Sequence, residues 1–206
     1  MKLNINSEGI IKFNCDWLET PPISFPQFEE INLQRQILHN LDLIGEYSDG
    51  LGYGNLSIRR DETSFFITAS QTGGIPHLGI EHYTLVTKWD IYKNYLKCEG
   101  PAKASSESLT HAAIYALSPE IGAVVHVHTF KGWLMLLNKI PTSNPNIKYG
   151  TPAMAYEIFR LYRESNLRQE KILVMAGHRE GIISFGNDIN DAASALLNKI
   201  DIFLNY

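Results

Sequence analysis

The chain has 206 residues, 44% of them hydrophobic and 19% charged, and a formal net charge of -4 with a pI near 6.0. This length suits one domain with a real core, and the slightly acidic balance argues against nucleic acid as a partner. The two cysteines, Cys15 and Cys98, are too few for a disulfide framework and indicate a reducing, cytoplasmic setting. The first residues lack the apolar core of a signal peptide, and no apolar run approaches the length of a membrane span.

The hydrophobic pattern predicts alternating strands and helices. In chain order it predicts a strand at 10–17, a helix at 26–47, strands at 55–59 and 64–68, a hairpin over 83–97, a helix at 107–117, a strand at 121–128, helices at 129–138 and 151–166, strands at 171–175 and 182–185, and a helix at 188–204. Interleaved helices and strands, some joined as hairpins, predict an α/β fold with layers around a mixed sheet.

The amino-terminal segment differs from the rest of the sequence. Three prolines, Pro21, Pro22 and Pro26, force an extended and turn-rich passage between the first strand and the first helix. We therefore expect an extension over residues 1–28 and one domain over residues 29–206.

Two histidines on one predicted strand are the sharpest local signal. His126 and His128 lie in the run AVVHVH, and alternate residues of a strand face the same side. Such a pair can share a metal ion, or it can be two half-buried histidines that each bond to a carbonyl. His178 follows a strongly apolar strand, where its side chain can reach a site at the strand end. The remaining histidines outside the helix at 107–117 are interpreted as surface, packing or solvated residues: His39, His77 and His82.

Two serines and a glutamate open the helix predicted at 107–117. Ser105 and Ser106 offer hydroxyls and helix-start N–H groups to an anion such as phosphate, although an ordinary N-cap has the same composition. A short helix that returns to a strand can bring Glu107 to the histidine pair, where a carboxylate near a metal can exchange protons with a substrate. His111, one helical turn later, either orients that carboxylate or is a buried structural residue.

Two glycine-bearing loops are further candidates for holding an anion. Asn55 ends the run GYGN, and Ser70, Thr72 and Gly73 lie in the run SQTGG. Small residues permit close approach of the backbone, and Asn, Ser and Thr supply donors for phosphate oxygens. Taken alone, each loop is better explained as a simple turn. Neither is a P-loop or a dinucleotide-binding motif, so nucleotide cofactors have no support.

Taken in order, these segments resemble the class II aldolase/adducin family. The matching segments are Gly54-Asn55-Leu56-Ser57, Ile67-Thr68-Ala69-Ser70 with Thr72-Gly73, Ser105-Ser106-Glu107, His111, Ala123–His128 and Gly177-His178. Together they extend over most of the chain, from about residue 30 to about residue 200. The resemblance implies a three-layer α/β/α sandwich around a mixed, largely antiparallel sheet.

The resemblance also implies roles for these residues. Three histidines, His126, His128 and His178, are implied to bind a divalent metal, usually zinc, with Glu107 as the acid/base. The implied phosphate-binding residues are Asn55, Ser70, Thr72, Gly73, Ser105 and Ser106. The implied reaction is that of an aldolase, a lyase of carbohydrate metabolism, which cleaves a phosphorylated ketose or related hydroxy-carbonyl compound through a zinc-stabilised enediolate.

Other activities in the family stay open. A sugar-phosphate 4-epimerase or a methylthioribulose-phosphate-type dehydratase uses the same metal site, and Glu107 favours aldolase or dehydratase because the epimerases commonly have an aspartate there. A non-catalytic, adducin-like interaction domain is expected to lack the metal ligands. Family members are commonly homotetramers with active sites between subunits, so we expect a homo-oligomer. Candidates for a group donated by a neighbouring subunit are Tyr149, Tyr156 and Tyr206.

Several positions depart from the family pattern. Gly52 stands where fuculose-phosphate aldolases have a phosphate-binding threonine. The second loop is longer than usual, so either Ser70-Gln71 or Thr72-Gly73 can occupy the phosphate position. Thr129 follows the histidine pair where a proline is common, and Arg179-Glu180 replace the more usual glycine after the last histidine. These departures concern the substrate rather than the three histidines.

Overall fold

The computed structural model describes residues 10–204, with side chains as far as residue 200. The strands in this range are β1 (Asn14–Glu19), β2 (Gly45–Glu46), β3 (Gly52–Tyr53), β4 (Asn55–Arg59), β5 (Phe65–Thr68), β6 (Tyr83–Asp90), β7 (Tyr95–Gly100), β8 (Ala123–His128), β9 (Ile172–Val174) and β10 (Gly181–Gly186). The helices are α1 (Phe28–Asn40), α2 (Ser108–Tyr115), α3 (Phe130–Leu136), α4 (Pro152–Glu164), α5 (Leu167–Glu170) and α6 (Ile189–Leu204), and a 3₁₀ turn lies at Ile80–His82.

Eight strands form one sheet in the order β1-β7-β6-β5-β4-β8-β10-β9. Each neighbouring pair in this sheet is antiparallel except β1 with β7, which is parallel. Strands β2 and β3 form a separate two-stranded ribbon. Strand β8 lies inside the sheet between β4 and β10, and all of its residues are buried. The expected mixed, largely antiparallel sheet is therefore confirmed.

Helices cover both faces of the sheet. Helices α2 and α4 pack on one face, in a core that includes Leu109 and Ile158. Helices α1, α3 and α6 pack on the other face, in a core that includes Ile31 and Leu196. This is the three-layer α/β/α sandwich that the resemblance implies.

Helix α6 shows how the sequence pattern produces this packing. Its buried residues recur at helical spacing and form one apolar stripe against β8 and β10. These residues are Ile189, Ala192, Ala193, Leu196 and Ile200. Among the residues described, no helix has both the length and the apolar character needed to cross a bilayer.

The ends of the elements differ from the predicted ends, most clearly in α1. The predicted helix at 26–47 is wrong in its last turns, because Asp42 has a φ of +55°, which ends the helical path. Leu43 and Ile44 continue the apolar pattern but lie buried in the bend between α1 and β2, where the Leu43 carbonyl accepts the His128 N–H at 3.0 Å. The pattern also does not predict the short elements β2, β3 and α5.

The amino-terminal segment joins the main sheet. Strand β1 pairs with β7 from Asn14 to Glu19, and Phe13 is buried in the core under α2. Phe25 is buried in the opposite core, stacked on Phe66 with ring centroids 4.1 Å apart. The domain boundary after residue 28 stays a prediction, although part of the segment that it separates is an edge strand of the same sheet.

Candidate active site and metal centre

Strand β8 directs two histidines to the same side of the sheet. Val125 and Val127 pack in the core under α1 and α6, whereas Val124 packs in the core under α2. His126 and His128 therefore face the α2 side, because side chains alternate along a strand. Both residues are buried, and their Nε2 atoms are 3.1 Å apart.

The turn between β9 and β10 brings His178 to this pair. Its backbone N–H donates to the Met175 carbonyl, and its carbonyl accepts the Gly181 N–H, so two hydrogen bonds close the turn. The preceding Gly177 is needed for close packing, since a Cβ there would lie 2.0 Å from the Ile147 carbonyl oxygen. The imidazole of His178 is thus held at the end of the sheet, as the sequence predicts.

The three histidines form a donor set that fits a divalent metal. Ligand nitrogens of His126, His128 and His178 all lie within 4.8 Å of one another. The Nδ1–H of His126 donates to the Ile182 carbonyl oxygen at 3.1 Å, because a carbonyl can only accept, and this tautomer turns the Nε2 lone pair of His126 towards His128. Zinc–nitrogen bonds of about 2.0–2.1 Å in a tetrahedral site place two ligand nitrogens about 3.3 Å apart.

The protonation state of His128 agrees with this fit. Burial, together with the charges of His178 and His126, lowers the pKa of His128 well below its ordinary value. The ring is therefore neutral at neutral pH, which is the form that binds a metal.

Glu107 lies beside the histidines, immediately before α2. It is 1% exposed, and its Oε1 is 3.2 Å from His178 Nδ1. Burial alone would raise the pKa of this carboxyl, but the close approach of His178 and the electrostatic effect of the His126 and His178 rings outweigh burial and lower it. A carboxylate held in this way is suited to exchange a proton with a substrate bound next to it.

His111 belongs to a buried polar cluster. Its Nδ1 lies 2.7 Å from the Ser57 hydroxyl, which in turn lies 2.7 Å from the Tyr115 hydroxyl. Burial, helped by the charge of His126, lowers the pKa of His111 to about 3, so the ring is neutral. These contacts favour the structural role over the alternative that His111 orients Glu107.

The structure brings all the predicted phosphate-binding residues to one cavity. The residues that line it are Gly52, Gly54, Asn55, Ala69, Ser70, Gln71, Thr72, Gly73, Ser105 and Ser106. The cavity adjoins the histidines, because Asn55 on β4 is the register partner of His126 and Ser106 precedes Glu107. Among the described residues that line it there is no lysine or arginine. An anion in this cavity would be held by hydroxyl, amide and backbone N–H groups.

Both parts of the longer loop line the cavity, but in different ways. The Thr72 hydroxyl donates to the Ala69 carbonyl at 2.8 Å, so its proton is already used within the loop. Gly73 packs so tightly that a Cβ would lie 2.2 Å from the Gly45 carbonyl oxygen. The carboxamide of Gln71 accepts the Gly52 N–H at 3.1 Å and ties the loop to β3. Thr72 and Gly73 are therefore expected to act through their backbone rather than through side chains.

Arg35 holds this loop in place through hydrogen bonds to its carbonyls. The sequence alone does not identify this residue. It is 1% exposed and donates to the carbonyls of Thr72 at 3.1 Å, Gly73 at 2.8 Å and Pro76 at 2.9 Å. The C=O and N–H of a trans peptide point in opposite directions. Because the carbonyls of Thr72 and Gly73 point towards Arg35, the N–H groups of Gly73 and Gly74 point away from it. The Gly73 nitrogen accordingly faces Gly52, 3.2 Å from where a Cβ of that residue would lie. An arginine on the buried stripe of a helix is the signal that marks it.

The aromatic residues near the site fall into two groups. Tyr149 is 2% exposed and stacks on His178 of its own chain with ring centroids 4.3 Å apart, so it is unsuited to reach a neighbouring subunit. Tyr156 is 45% exposed and keeps that possibility, whereas Tyr206 lies outside the described residues. Tyr47, which the sequence does not mark, has its hydroxyl 2.7 Å from His128 Nδ1.

Thr129, which follows the histidine pair, has a local structural role. It is the N-cap of α3, and its hydroxyl oxygen accepts the Gly132 N–H at 3.2 Å. Its backbone N–H donates to the Glu180 carbonyl at 3.0 Å, which ties β8 to the turn that carries His178. The departure from proline at this position therefore serves the helix start and leaves the metal donors in place.

Solved structures of other proteins share this fold. YgbL of Escherichia coli, named for three candidate activities (aldolase, epimerase and decarboxylase), is similar with a TM-score of 0.62 and 18% identity over 86% of this chain and 87% of that one. An L-fuculose 1-phosphate aldolase is similar with a TM-score of 0.62 and 19% identity over 86% of this chain and 82% of that one. A sugar-phosphate aldolase from Thermotoga maritima has a TM-score of 0.57 and 16% identity over 85% of this chain and 95% of that one.

The sequence itself gives two further similarities. The 3-oxo-tetronate 4-phosphate decarboxylase of Haemophilus influenzae is 27% identical over 162 residues, which is 69% of this chain and 70% of that protein. The family model of the class II aldolase and adducin N-terminal domain matches residues 46–198, well over half of the chain. With the fold and the ordered site residues in agreement, the chain belongs to the class II aldolase and adducin family.

Proposed function

We propose that the chain is a metal-dependent carbon–carbon lyase, an aldolase that cleaves a phosphorylated ketose or a related hydroxy-carbonyl compound. The observation that carries this proposal is the convergence of three histidine nitrogens within 4.8 Å of one another, with Glu107 at 3.2 Å from His178. Membership of the family and the adjoining cavity of small polar residues support it.

The histidines and Glu107 have different tasks in this proposal. A divalent metal held by His126, His128 and His178, with zinc as the leading candidate, supplies a Lewis acid that draws electron density from carbonyl and hydroxyl oxygens of the substrate. The neutral imidazoles hold such an ion without reducing its charge. Glu107 accepts a proton from the substrate and returns it at the reacting carbon, and its burial keeps bulk water away from that exchange.

The cavity is proposed to hold the phosphate group. Asn55, Ser105 and Ser106 offer side-chain donors, and the loop that Arg35 holds offers the Gly73 N–H. Ser70 also lines the cavity and offers a further hydroxyl. Since the lining has no cation of its own, the positive charge of Arg35 reaches the anion through the aligned peptide groups of the loop.

Decarboxylation of a phosphorylated 3-oxo acid is the second candidate. The 27% identity with a 3-oxo-tetronate 4-phosphate decarboxylase favours it. Aldol cleavage and decarboxylation both break a C–C bond at the carbon next to a carbonyl and leave an electron pair on that carbon. In aldol cleavage the proton that Glu107 delivers comes from the substrate hydroxyl, whereas in decarboxylation Glu107 would relay a proton from a water molecule. An epimerase or dehydratase would use the same donors, and the complete donor set argues against a purely adducin-like interaction role.

We also propose that the protein is a cytoplasmic homo-oligomer, a tetramer by family resemblance. Tyr92 and Tyr156 are 81% and 45% exposed with ring centroids 5.9 Å apart, and a second copy could cover this aromatic surface.

Metal analysis followed by a substrate panel tests the activity. Purified protein incubated with zinc and passed through a desalting column should carry one ion per chain. The loaded protein is then given ketose 1-phosphates, scored for dihydroxyacetone phosphate, and phosphorylated 3-oxo acids, scored for carbon dioxide, with Glu107→Gln as the control. Release of dihydroxyacetone phosphate supports the aldolase, and release of carbon dioxide transfers the proposal to the decarboxylase. A metal-loaded protein that releases neither product contradicts both.

A further inference from the structure

Two hydrogen bonds through the Tyr47 hydroxyl link His128 to the carboxylate of Glu180, in the turn between β9 and β10. The Tyr47 hydroxyl lies 2.7 Å from His128 Nδ1 and donates to Glu180 Oε2 at 3.0 Å. Tyr47 follows β2, and Glu180 lies in the turn between β9 and β10, so the chain joins two segments that are far apart in sequence. Neither residue lines the cavity that holds the predicted phosphate-binding groups.

The proton count of this chain sets the tautomer of His128. A phenol has one proton, and Tyr47 gives it to Glu180, which as a carboxylate can only accept. The close contact between Tyr47 and His128 therefore requires His128 Nδ1–H to donate to the Tyr47 oxygen. The Nε2 atom of His128 then has a lone pair, and it is this atom that lies 3.1 Å from His126 Nε2. The opposite tautomer would direct a proton to the place where the three donors converge.

The backbone at Glu180 indicates that its side chain has a specific task. Glu180 has a φ of +73°, in the left-handed region that favours glycine. A glutamate is strained there, so the local backbone does not account for its presence. Its Oε2 accepts the Tyr47 hydroxyl, whereas among the described residues its Oε1 is approached at 3.8 Å by the largely exposed Arg179. The contact that distinguishes a glutamate from a glycine at this position is the one to Tyr47.

We infer that Tyr47 and Glu180 are positioning residues that hold His128 in its metal-binding tautomer and, through the carboxylate charge, strengthen its bond to a divalent metal. This inference rests on the proposed metal site. Partners that hold the second nitrogen of a ligating histidine change metal affinity by about 10- to 100-fold. They touch neither substrate nor metal, so their effect is on affinity and on the geometry of the bound ion.

The test measures metal affinity rather than turnover. Dissociation constants for Zn²⁺ and Co²⁺ are determined by competition with a chromophoric chelator for the wild type, Tyr47→Phe and Glu180→Gln. Tyr53→Phe is the matched control, because its ring packs 4.6 Å from Tyr47 and 5.5 Å from His128, but its hydroxyl donates to the Asp42 carbonyl. We expect Tyr47→Phe to weaken binding by about 10-fold or more, with a changed visible spectrum of bound Co²⁺, and Tyr53→Phe to match the wild type.

Two further variants separate positioning from general stability. Glu180→Gly removes the carboxylate but relieves the left-handed backbone, so we expect weaker metal binding with an unchanged or higher melting temperature. The double variant Tyr47→Phe/Glu180→Gln should bind metal as weakly as Tyr47→Phe alone, because the carboxylate acts through the phenol.

Different failures have different meanings. Tyr47→Phe with wild-type affinity and an unchanged Co²⁺ spectrum overturns the inference and leaves the proposed metal site intact. A loss of affinity in Glu180→Gly that appears only together with a fall in melting temperature also overturns it. A wild-type protein that binds neither metal stoichiometrically overturns the metal site and this inference with it.

Discussion

At the residue scale, His126 and Glu107 have separable tasks, and substitution separates them. We expect His126→Ala to lose bound zinc, since the remaining pair of imidazoles is a poor site. Glu107→Gln keeps the donor set and should retain zinc while turnover falls by about 10²- to 10⁴-fold. Metal content after desalting and turnover on the substrate panel measure the two effects. Zinc retained at one ion per chain in His126→Ala would show that this ring is not a ligand.

Arg35 is expected to matter for both stability and phosphate binding. Arg35→Met removes the guanidinium that donates to the carbonyls of Thr72, Gly73 and Pro76, so we predict a loss of about 3 kcal/mol in the free energy of unfolding and a KM at least about tenfold higher. Arg59→Met is the matched control, because Arg59 also donates to three carbonyls, those of Tyr115, Ser118 and Ile121.

Urea unfolding and steady-state kinetics distinguish the two arginines. Both variants should be less stable than the wild type, but only Arg35→Met should raise KM. An equal rise of KM in both variants would show that Arg35 contributes to stability but has no specific role in phosphate binding.

What the sequence reveals at this scale depends on local spacing. His126 and His128 are recognisable because strand alternation places i and i+2 on one face, and His178 because it follows an apolar strand. Arg35 and Tyr47 act through contacts made across the fold, with Gly73 and His128 respectively. Such contacts leave no periodic signal. An arginine within the buried stripe of α1 is a hint, but its partners are known only once the loop is placed.

At the scale of elements, Glu157 joins α4 to the loop that precedes it. Its carboxylate accepts the Asn144 N–H at 2.9 Å and bonds Arg160 at 2.7 Å. The hydrogen bonds from Arg160 lower the pKa of Glu157, burial opposes this, and the Asn144 N–H adds to the lowering. A carboxyl with a lowered pKa in the folded state stabilises the protein above its unfolded pKa, and this stabilisation is lost as the pH falls through the folded value.

We therefore predict that Glu157→Gln costs about 1–2 kcal/mol at neutral pH and progressively less as the pH falls below about 4.5. Urea unfolding of both proteins across this pH range measures the difference. Glu164→Gln is the control, since Glu164 contacts the same arginine but is 56% exposed. A penalty for Glu157→Gln that does not change with pH would mean that the carboxylate charge is not what stabilises the loop.

The elements themselves are largely predictable, and the exceptions have a common cause. The hairpins and the helices with apolar stripes follow from periodicity. The end of α1 does not, because Leu43 and Ile44 satisfy the apolar pattern of a helix while the chain has already turned at Asp42. Their burial depends on β8, whose His128 N–H bonds the Leu43 carbonyl. Tertiary contacts override local preference there.

At the scale of the whole molecule, strand β1 is expected to be part of the domain rather than an appendage. A chain that begins at residue 20 loses β1 and the buried Phe13 and exposes the edge of β7. We predict that it is at least about 3 kcal/mol less stable and aggregates more readily. Leu18→Ser, at a position 51% exposed, is the control and should behave as the wild type. Urea unfolding measures the stability and light scattering measures the aggregation. A shortened chain as stable as the wild type would support the boundary after residue 28.

The proposed assembly makes a further prediction. If a second copy covers the aromatic surface of Tyr92 and Tyr156, then Tyr156→Lys places a charge in that contact. We expect the oligomer to shift towards the monomer by at least one step of assembly, with little change in the far-ultraviolet spectrum. Size-exclusion chromatography with light scattering measures the mass. An unchanged mass would place the subunit contact elsewhere on the molecule.

The parallel pairing of β1 with β7 also affects how the chain is made. Asn14 pairs with Tyr95, about 80 residues later in the chain. During synthesis β1 therefore leaves the ribosome long before β7 and stays unpaired until β7 has been made. Its sequence suits this unpaired state, because Asp16 and Glu19 are charged and exposed and two prolines, Pro21 and Pro22, follow one residue after the strand. Charges and prolines of this kind discourage pairing with the wrong chain. The edge strand β1 therefore has charges and neighbouring prolines that limit aggregation of the nascent chain before β7 is available.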